Sequence, residues 1–356
     1  MEKTNKRANL YFIDLLTVIA ASFVLIVHVT HVLAGFHVID YKTFPTAWFY
    51  RFDVSAVQLF FILSGFKISL SISNKISNKT FSYYKYILKR IFSIWFIYML
   101  ALIAYLIFMF YFRQSEFESL NAWDYLSHIL LLNAFNPISY NTTVASGWFI
   151  GCIMIYYALT PFLLKVFNNT NKALILCVIA FIIRFLFSFL VNKPLFGYED
   201  NIWSTFHSQS FPMHFCFYTL GILAYNIVIK KDISFNKFVV IPSIIMCVLL
   251  WYNKDQLVYD SIILFFLFLI CSFIKVDSNK HKIIPTLSKF TLPVYLFQML
   301  LLRSIAMFVN FKELSDWSIW WITLISSTII LFALGAVLYY LINRPIDKLY
   351  NTLFNK

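Results

Sequence analysis

Asp14 and His28 are ionisable side chains inside the first apolar stretch of the chain, residues 10–33, the one near its start and the other toward its far end. A titratable group in hydrocarbon costs about 3 kcal/mol or more, so it faces protein or a polar cavity and marks function. At the α-helical rise the two lie roughly 21 Å apart, most of the way across a hydrocarbon core of about 30 Å. Their spacing is close to four full turns, which puts both on nearly the same side of a helix. The chemistry open to such an imidazole is proton transfer, because its ordinary pKa of about 6.5 leaves the proton-accepting form available at neutral pH. A histidine merely hydrogen-bonded to a neighbouring helix is the alternative. His31, one turn further on, is a second imidazole at the far end, whereas His207 and His214 read as structural or loop residues.

Other residues extend the chemistry. The run Val57-Gln58-Leu59-Phe60-Phe61-Ile62-Leu63-Ser64-Gly65-Phe66 carries a small pair, Ser64-Gly65, of the kind that lets helices approach closely. Soon after it comes Tyr83-Tyr84-Lys85-Tyr86-Ile87-Leu88-Lys89-Arg90, basic and aromatic together. Such a cluster either anchors to anionic lipid or holds phosphate through charge-assisted hydrogen bonds. Arg184 and Arg303 are cations inside apolar runs with no sequence neighbour to neutralise them, and Asp14 needs a counter-charge. Either arginine is expected to supply it, the alternative being that each snorkels to an interface. The five cysteines sit in apolar runs without metal-ligand spacing, so they read as packing residues, and no metal site is expected.

The elements that must position these groups follow from composition. Of 356 residues 61% are hydrophobic and only 13% charged, about half the usual charged share of a soluble domain. The chain reads as an all-α integral membrane protein, one domain over 1–356, with ten spans: 10–34, 52–73, 91–112, 146–166, 173–191, 211–229, 238–252, 258–274, 290–310 and 318–342. Most of the 29 Lys and Arg fall on one side of this arrangement, including Lys3, Lys6, Arg7 and Lys67. That side is therefore assigned to the cytoplasm, together with both termini. The net charge of +13 reflects this orientation and not a nucleic-acid partner. The first span is too long for a typical signal sequence and reads as uncleaved. Of the two long outer connections, 113–145 holds an apolar piece too short to span, expected to lie at the interface or re-enter. Residues 192–210, with Trp203 and His207, are expected to help cover an outward cavity.

Taken in order, these motifs resemble the acyltransferase family 3 of membrane proteins, which includes O-acetyltransferases of bacterial surface polysaccharides. The resemblance rests on the Asp14 to His28 helix, the Leu59-to-Phe66 run and the Lys89-Arg90-Ile91 entry. It continues with Gly147-Trp148-Phe149-Ile150 followed by Tyr156, Tyr157 and Pro161, and with Leu292-Pro293-Val294-Tyr295-Leu296-Phe297 followed by Arg344-Pro345. It implies a ten-helix bundle in the bacterial plasma membrane, with acetyl-CoA or another acyl-CoA as co-substrate and a surface polysaccharide or lipid-linked glycan as acceptor. It also implies catalysis by His28 with Asp14 and binding of the acyl-CoA by Lys85, Lys89 and Arg90, with Lys67 placed beside them. His31, Ser64, Trp148, Tyr156, Arg184, Tyr295, Gln298 and Arg303 are the expected cavity residues.

Four positions depart from the family pattern. Thr17 stands where an arginine usually precedes the histidine by eleven residues, and Ile153, Gln298 and Asn343 replace a carboxylate, a histidine and an acid. Two other readings share the same bundle: a glycan exporter or flippase, and a non-catalytic subunit of a surface-polymer assembly. No phosphate-binding loop or inverted repeat supplies the exporter with an evident energy source.

Overall fold

Long apolar runs in lipid must satisfy every backbone polar group internally, and in this chain they do so as helices. A computed structural model describes residues 10–40, 42, 46–139, 141, 143–191, 199–232, 256–274, 281–311 and 313–354. The main helices are α1 (Tyr11–Gly35), α2 (Thr46–Ser77), α3 (Tyr83–Phe112), α4 (Ala122–Ile129), α5 (Gly147–Val166), α6 (Thr170–Leu190), α7 (Asp200–Gln209), α8 (Phe211–Val228), α9 (Gln256–Ser272), α10 (Thr291–Phe308), α11 (Asp316–Leu338) and α12 (Arg344–Phe354). Among the described residues eight helical segments are long and apolar enough to cross a membrane, and residues 262–272 of α9 form a shorter apolar helix. The protein is a multi-pass membrane bundle. The span expected at 238–252, with Cys247, and the basic residues Lys3, Lys6 and Arg7 lie outside the described residues. The third span starts at Tyr83, earlier than expected, because Ser82 caps it by accepting from the backbone N–H of Lys85. The basic approach is thus itself helical.

The helix α1 is the hub, packed against α2, α10 and α11. Three side-chain hydrogen bonds set its register. Lys67 Nζ on α2 donates to Thr17 Oγ1 at 2.9 Å, Ser288 Oγ just before α10 donates to Asp14 Oδ1 at 2.7 Å, and Trp320 Nε1 on α11 donates to Thr30 Oγ1 at 2.9 Å. The end of the bundle that carries Asp14 is called inner below. On the far side of α2 the backbones of α2 and α8 touch: a Cβ on Gly65 would overlap the Tyr218 carbonyl oxygen, and one on Gly221 would overlap that of Ile62. Only glycine permits this approach.

Pro161 shapes the inner half of α5. A proline inside a helix leaves the carbonyl four residues earlier without its N–H. That carbonyl belongs to Tyr157, and Tyr86 OH donates to it at 3.0 Å, while Tyr83 OH donates to the next carbonyl, Ala158, at 3.3 Å. The basic, aromatic start of α3 is thereby tied to α5. Pro345 likewise follows a π-helical turn, Tyr339–Asn343, that joins α11 to α12.

Residues 122–139 are inside out relative to a water-facing loop. Trp123, Leu126, Ile129, Leu130 and Phe135 are exposed, whereas Asp124, Ser127, His128, Asn136 and Ser139 are buried. Asn121 and Asp124 form a capping box, Asn136 Nδ2 donates to Asp124 Oδ1 at 2.8 Å, and Tyr98 OH meets His128 Nδ1 at 2.6 Å. A polar knot wrapped in exposed apolar side chains suits a segment lying against lipid at the outer rim without spanning it. In the other outer connection Trp203 is buried with its Nε1 on the Val191 carbonyl, and His207 stacks on Phe187 at 4.9 Å. Residues 192–198 of that connection lie outside the described residues.

Candidate functional site

At the inner end α1 contributes Asp14 and Thr17, α2 contributes Lys67, and the turn before α10 contributes Ser288. Lys67 is mostly buried and donates to Thr17 Oγ1, while Thr17 donates onward to the Ile13 carbonyl at 2.6 Å. The Asp14 carboxylate accepts from Ser288 and acts electrostatically on the Lys67 ammonium. The expected counter-charges were Arg184 and Arg303, but Lys67 is the cation found here. Arg184 donates from Nη1 to the Met213 carbonyl at 2.7 Å across the α6–α8 interface. Arg303 lies near Tyr105 and the ion pair of Arg113 with Glu116, at the other end of the bundle. The physical reason is reach. Thr17 leaves room on α1, and the four-carbon stem of a lysine on the neighbouring helix fills it.

The basic cluster divides in two. Arg90 points into the bundle, its guanidinium over the rings of Tyr86 (5.4 Å) and Tyr157 (5.7 Å), with Nη2 donating to Ser71 Oγ at 3.4 Å. Its Nε is buried and has no hydrogen-bond partner among the described residues. Ser64 lies beside the Tyr157 hydroxyl. Lys85 and Lys89 are instead held by the carboxy-terminal helix: Lys85 Nζ donates to the Phe354 carbonyl at 2.8 Å, Tyr350 OH donates to the Lys85 carbonyl at 2.5 Å, and Lys89 sits over the Tyr350 ring. Sequence reasoning did not single out Tyr350, although its burial between exposed Leu349 and Leu353 is the mark of an amphipathic interfacial helix.

Further out, the three register bonds place several polar groups at one depth. Gln58 is nine residues outward of Lys67, Gln298 ten outward of Ser288, and Thr323 three inward of Trp320. Converted at the helical rise, all three fall within roughly 6 Å of the height of His28. Ser327 lies one turn below Thr323. Gln58, Gln298, Thr323 and Ser327 are fully or almost fully buried, and their side-chain polar atoms have no hydrogen-bond partner among the described residues. His28 and His31 are both partly buried, and Nδ1 of His28 is screened from solvent. His28 shares the face of α1 that carries Asp14 and Thr17, and at the seam of α2 with α10 Phe60 meets Tyr295 at 6.0 Å.

The remaining expected cavity residues are structural neighbours of this belt. Trp148 packs on His214 at 5.1 Å and on Phe61 at 6.1 Å, and Tyr295 packs on Phe149 at 5.4 Å. Tyr156 OH donates to the Phe211 carbonyl at 2.5 Å, so its proton is already engaged. A separate groove of about 420 Å³, lined by Ile91, Trp95, Leu131, Met154 and Leu159, is apolar and contains none of these residues. It suits hydrocarbon, not acid–base chemistry. Among the described residues no cluster of His, Cys, Asp and Glu could hold a metal ion, and Cys152, Cys177, Cys216 and Cys271 form no disulfide.

Comparison with known proteins adds one match. The model of acyltransferase family 3, described as an acyltransferase domain, covers residues 10–340. No curated protein and no solved structure matches the chain.

Proposed function

Since this chain belongs to acyltransferase family 3 and is a membrane acyltransferase, we propose that it moves an acetyl or other small acyl group from cytoplasmic acyl-CoA to a hydroxyl of an extracytoplasmic or lipid-linked surface polysaccharide. The bacterial plasma membrane is the setting this reading implies. The observation that carries it is the belt of buried polar side chains without partners among the described residues at the depth of His28, together with an inner end where Arg90 lies over Tyr157. A buried carboxamide or hydroxyl without a partner costs about 1–3 kcal/mol, and a bound polar substrate would remove that cost.

In this reading the phosphates of the acyl donor meet Arg90, whose Nε–H is unpaired, and then Lys89 and Lys85 when α12 yields them. The thin pantetheine arm carries the thioester outward to the belt. Neutral His28 takes the proton of the acceptor hydroxyl as its oxygen attacks the thioester carbonyl. Gln298, Thr323 and Ser327 offer donors to the oxygen that becomes negative. The carbon–sulfur bond then breaks, the imidazolium returns the proton to the leaving thiolate, and an ester and a free thiol result. Asp14 and Lys67 act at a distance, holding α1 in register.

The test is turnover of labelled acetyl-CoA by the purified full chain with candidate glycans. Transfer that disappears in His28→Ala at unchanged expression supports the reading. Wild-type transfer by that variant sinks the assignment of the base, and glycan export without acyl modification sinks the enzyme reading altogether.

A further inference from the structure

The contact between α2 and α8 holds a polar pair that the reaction above does not use. Gln58 precedes Gly65 by seven residues on α2, and His214 precedes Gly221 by seven on α8. Seven residues make almost two turns, so each polar residue shares the face of its glycine. Those glycines bring the two backbones together, Gly65 against Tyr218 and Gly221 against Ile62 and Phe66. The stack of Phe61 on His214, at 5.2 Å and 22°, continues the same parallel alignment one turn outward of the Gly65–Tyr218 contact. Gln58 and His214 therefore oppose each other across the outer part of this crossing.

Their hydrogen-bonding capacity is unfilled. Both ends of the Gln58 carboxamide are buried without a partner among the described residues. His214 is 5% exposed, and its Nε2 lies 3.1 Å from the Ser208 carbonyl. A carbonyl can only accept, so Nε2 carries the hydrogen and Nδ1 presents a lone pair, which is likewise unpartnered. Gln209 Oε1, at the end of α7, is a third buried acceptor with no partner. The rings of Phe61 and Trp148 pack on the imidazole. Arg184, bonded to the Met213 carbonyl one residue away, lies within electrostatic reach of His214 and disfavours a cationic guest.

We propose that Gln58, His214 and Gln209, with the Trp148 ring beside them, form a subsite for an uncharged polyhydroxyl group, such as one sugar ring of the acceptor. A hydroxyl is at once donor and acceptor, which matches a carboxamide facing a bare imidazole nitrogen, and an aromatic face suits the apolar side of a pyranose. An amine would meet the Arg184 charge, and a carboxylate, which only accepts, would leave the bare His214 nitrogen without a donor. Gln58 lies within about one turn of His28 in depth. The identity of the guest as acceptor thus rests on the proposed acyl transfer, whereas the subsite itself does not.

The experiment uses the full chain in lipid nanodiscs, with a panel of methyl glycosides as the probe, read by saturation-transfer NMR. Wild type binds. Gln58→Leu and His214→Phe each weaken binding about tenfold, the loss expected for one or two hydrogen bonds to a buried site, whereas His28→Ala does not. Gln58→Leu also melts at or above the wild-type temperature, because it removes an unpaired amide. Equal binding by wild type and both variants, absence of binding by wild type, or a lower melting point for Gln58→Leu than for wild type would each overturn the subsite. Should Gln58→Leu fail to fold, the subsite is likewise wrong, and His214→Phe reads the binding independently. Glycoside binding that depends on Gln58 in a protein without acyl transfer leaves the subsite standing and removes the proposed function. Acyl transfer with an unchanged acceptor KM in Gln58→Leu leaves the proposed function standing and overturns the acceptor as the guest of the subsite.

Discussion

The two ends of α1 solve opposite problems. Around Asp14 each polar group has a partner: Ser288 on the carboxylate, Thr17 on Lys67, and the two charges facing one another. Around the depth of His28, Gln58, Gln298, Thr323 and Ser327 are more deeply buried than Asp14, Lys67 and Ser288 and have none among the described residues. A satisfied network rigidifies, whereas an unsatisfied one costs stability until a guest arrives. The inner group is therefore scaffold and the outer belt is the place for chemistry, even though the inner group carries the formal charges.

Mutations that treat both ends alike should separate them. The largest effect belongs to His28→Ala, which should lower acyl transfer by about 10²–10⁴-fold, the range for loss of a general base, while leaving thermal stability near that of wild type. Transfer assays and melting curves on one preparation check it. A stability loss as large as that of a core mutant would move His28 to the scaffold side.

Next, removal of a polar side chain should have opposite signs at the two ends. Lys67→Met leaves Asp14 without its cation and should destabilise by up to about 3 kcal/mol, with much of the loss regained in the double variant with Asp14→Asn. Gln298→Leu should instead stabilise by about 1 kcal/mol and depress transfer. Chemical unfolding in detergent reads both, and matching signs would erase the distinction. A third region serves as a reference. His128 is fully buried yet satisfied, with Tyr98 on Nδ1 and the Ser139 carbonyl on Nε2. Burial pushes it down to about 4, against the opposing pull of the Ser139 bond and of Asp124. Above about pH 6.5 the imidazole is neutral folded or unfolded and its contribution is complete. As pH falls from there to about 4 the unfolded segment takes up the proton first, and about 3 kcal/mol is lost. Hydrogen exchange across 122–139 should quicken over that window and not above it.

Much of this was legible in the sequence, and the rest was hidden for identifiable reasons. Asp14 and His28 announced themselves by charge in an apolar run, and the Ser64-Gly65 pair announced a close approach, realised as the contact with α8. Lys67 is placed by the sequence with Lys85, Lys89 and Arg90 as a binder of the acyl donor. Its hydrogen bond to Thr17 depends on the register of α2 against α1, which no single helix encodes. Ser288 and Tyr350 gave no signal, because a hydroxyl in a connecting turn or a terminal helix is ordinary until its partner is known. His214 was read as structural from its neighbours in sequence. Only the Ser208 bond, by fixing which nitrogen carries the hydrogen, shows which nitrogen is bare.

The smallest effect tests where the satisfied scaffold ends. Lys85 and Lys89 have partners, as the Asp14 group does, but those partners come from α12, which follows a π-helical turn and a proline and exposes Leu349 and Leu353. A peripheral helix can be displaced where a core network cannot. Tyr350→Phe removes only the bond to the Lys85 carbonyl, worth about 1 kcal/mol at most. If α12 competes with the acyl donor for the two lysines, that loss should lower the KM for acyl-CoA by up to about fivefold and leave the acceptor KM and the melting temperature almost unchanged. A raised KM would mean that α12 builds the donor site instead of covering it, and the inner scaffold would then extend to the carboxy-terminal helix.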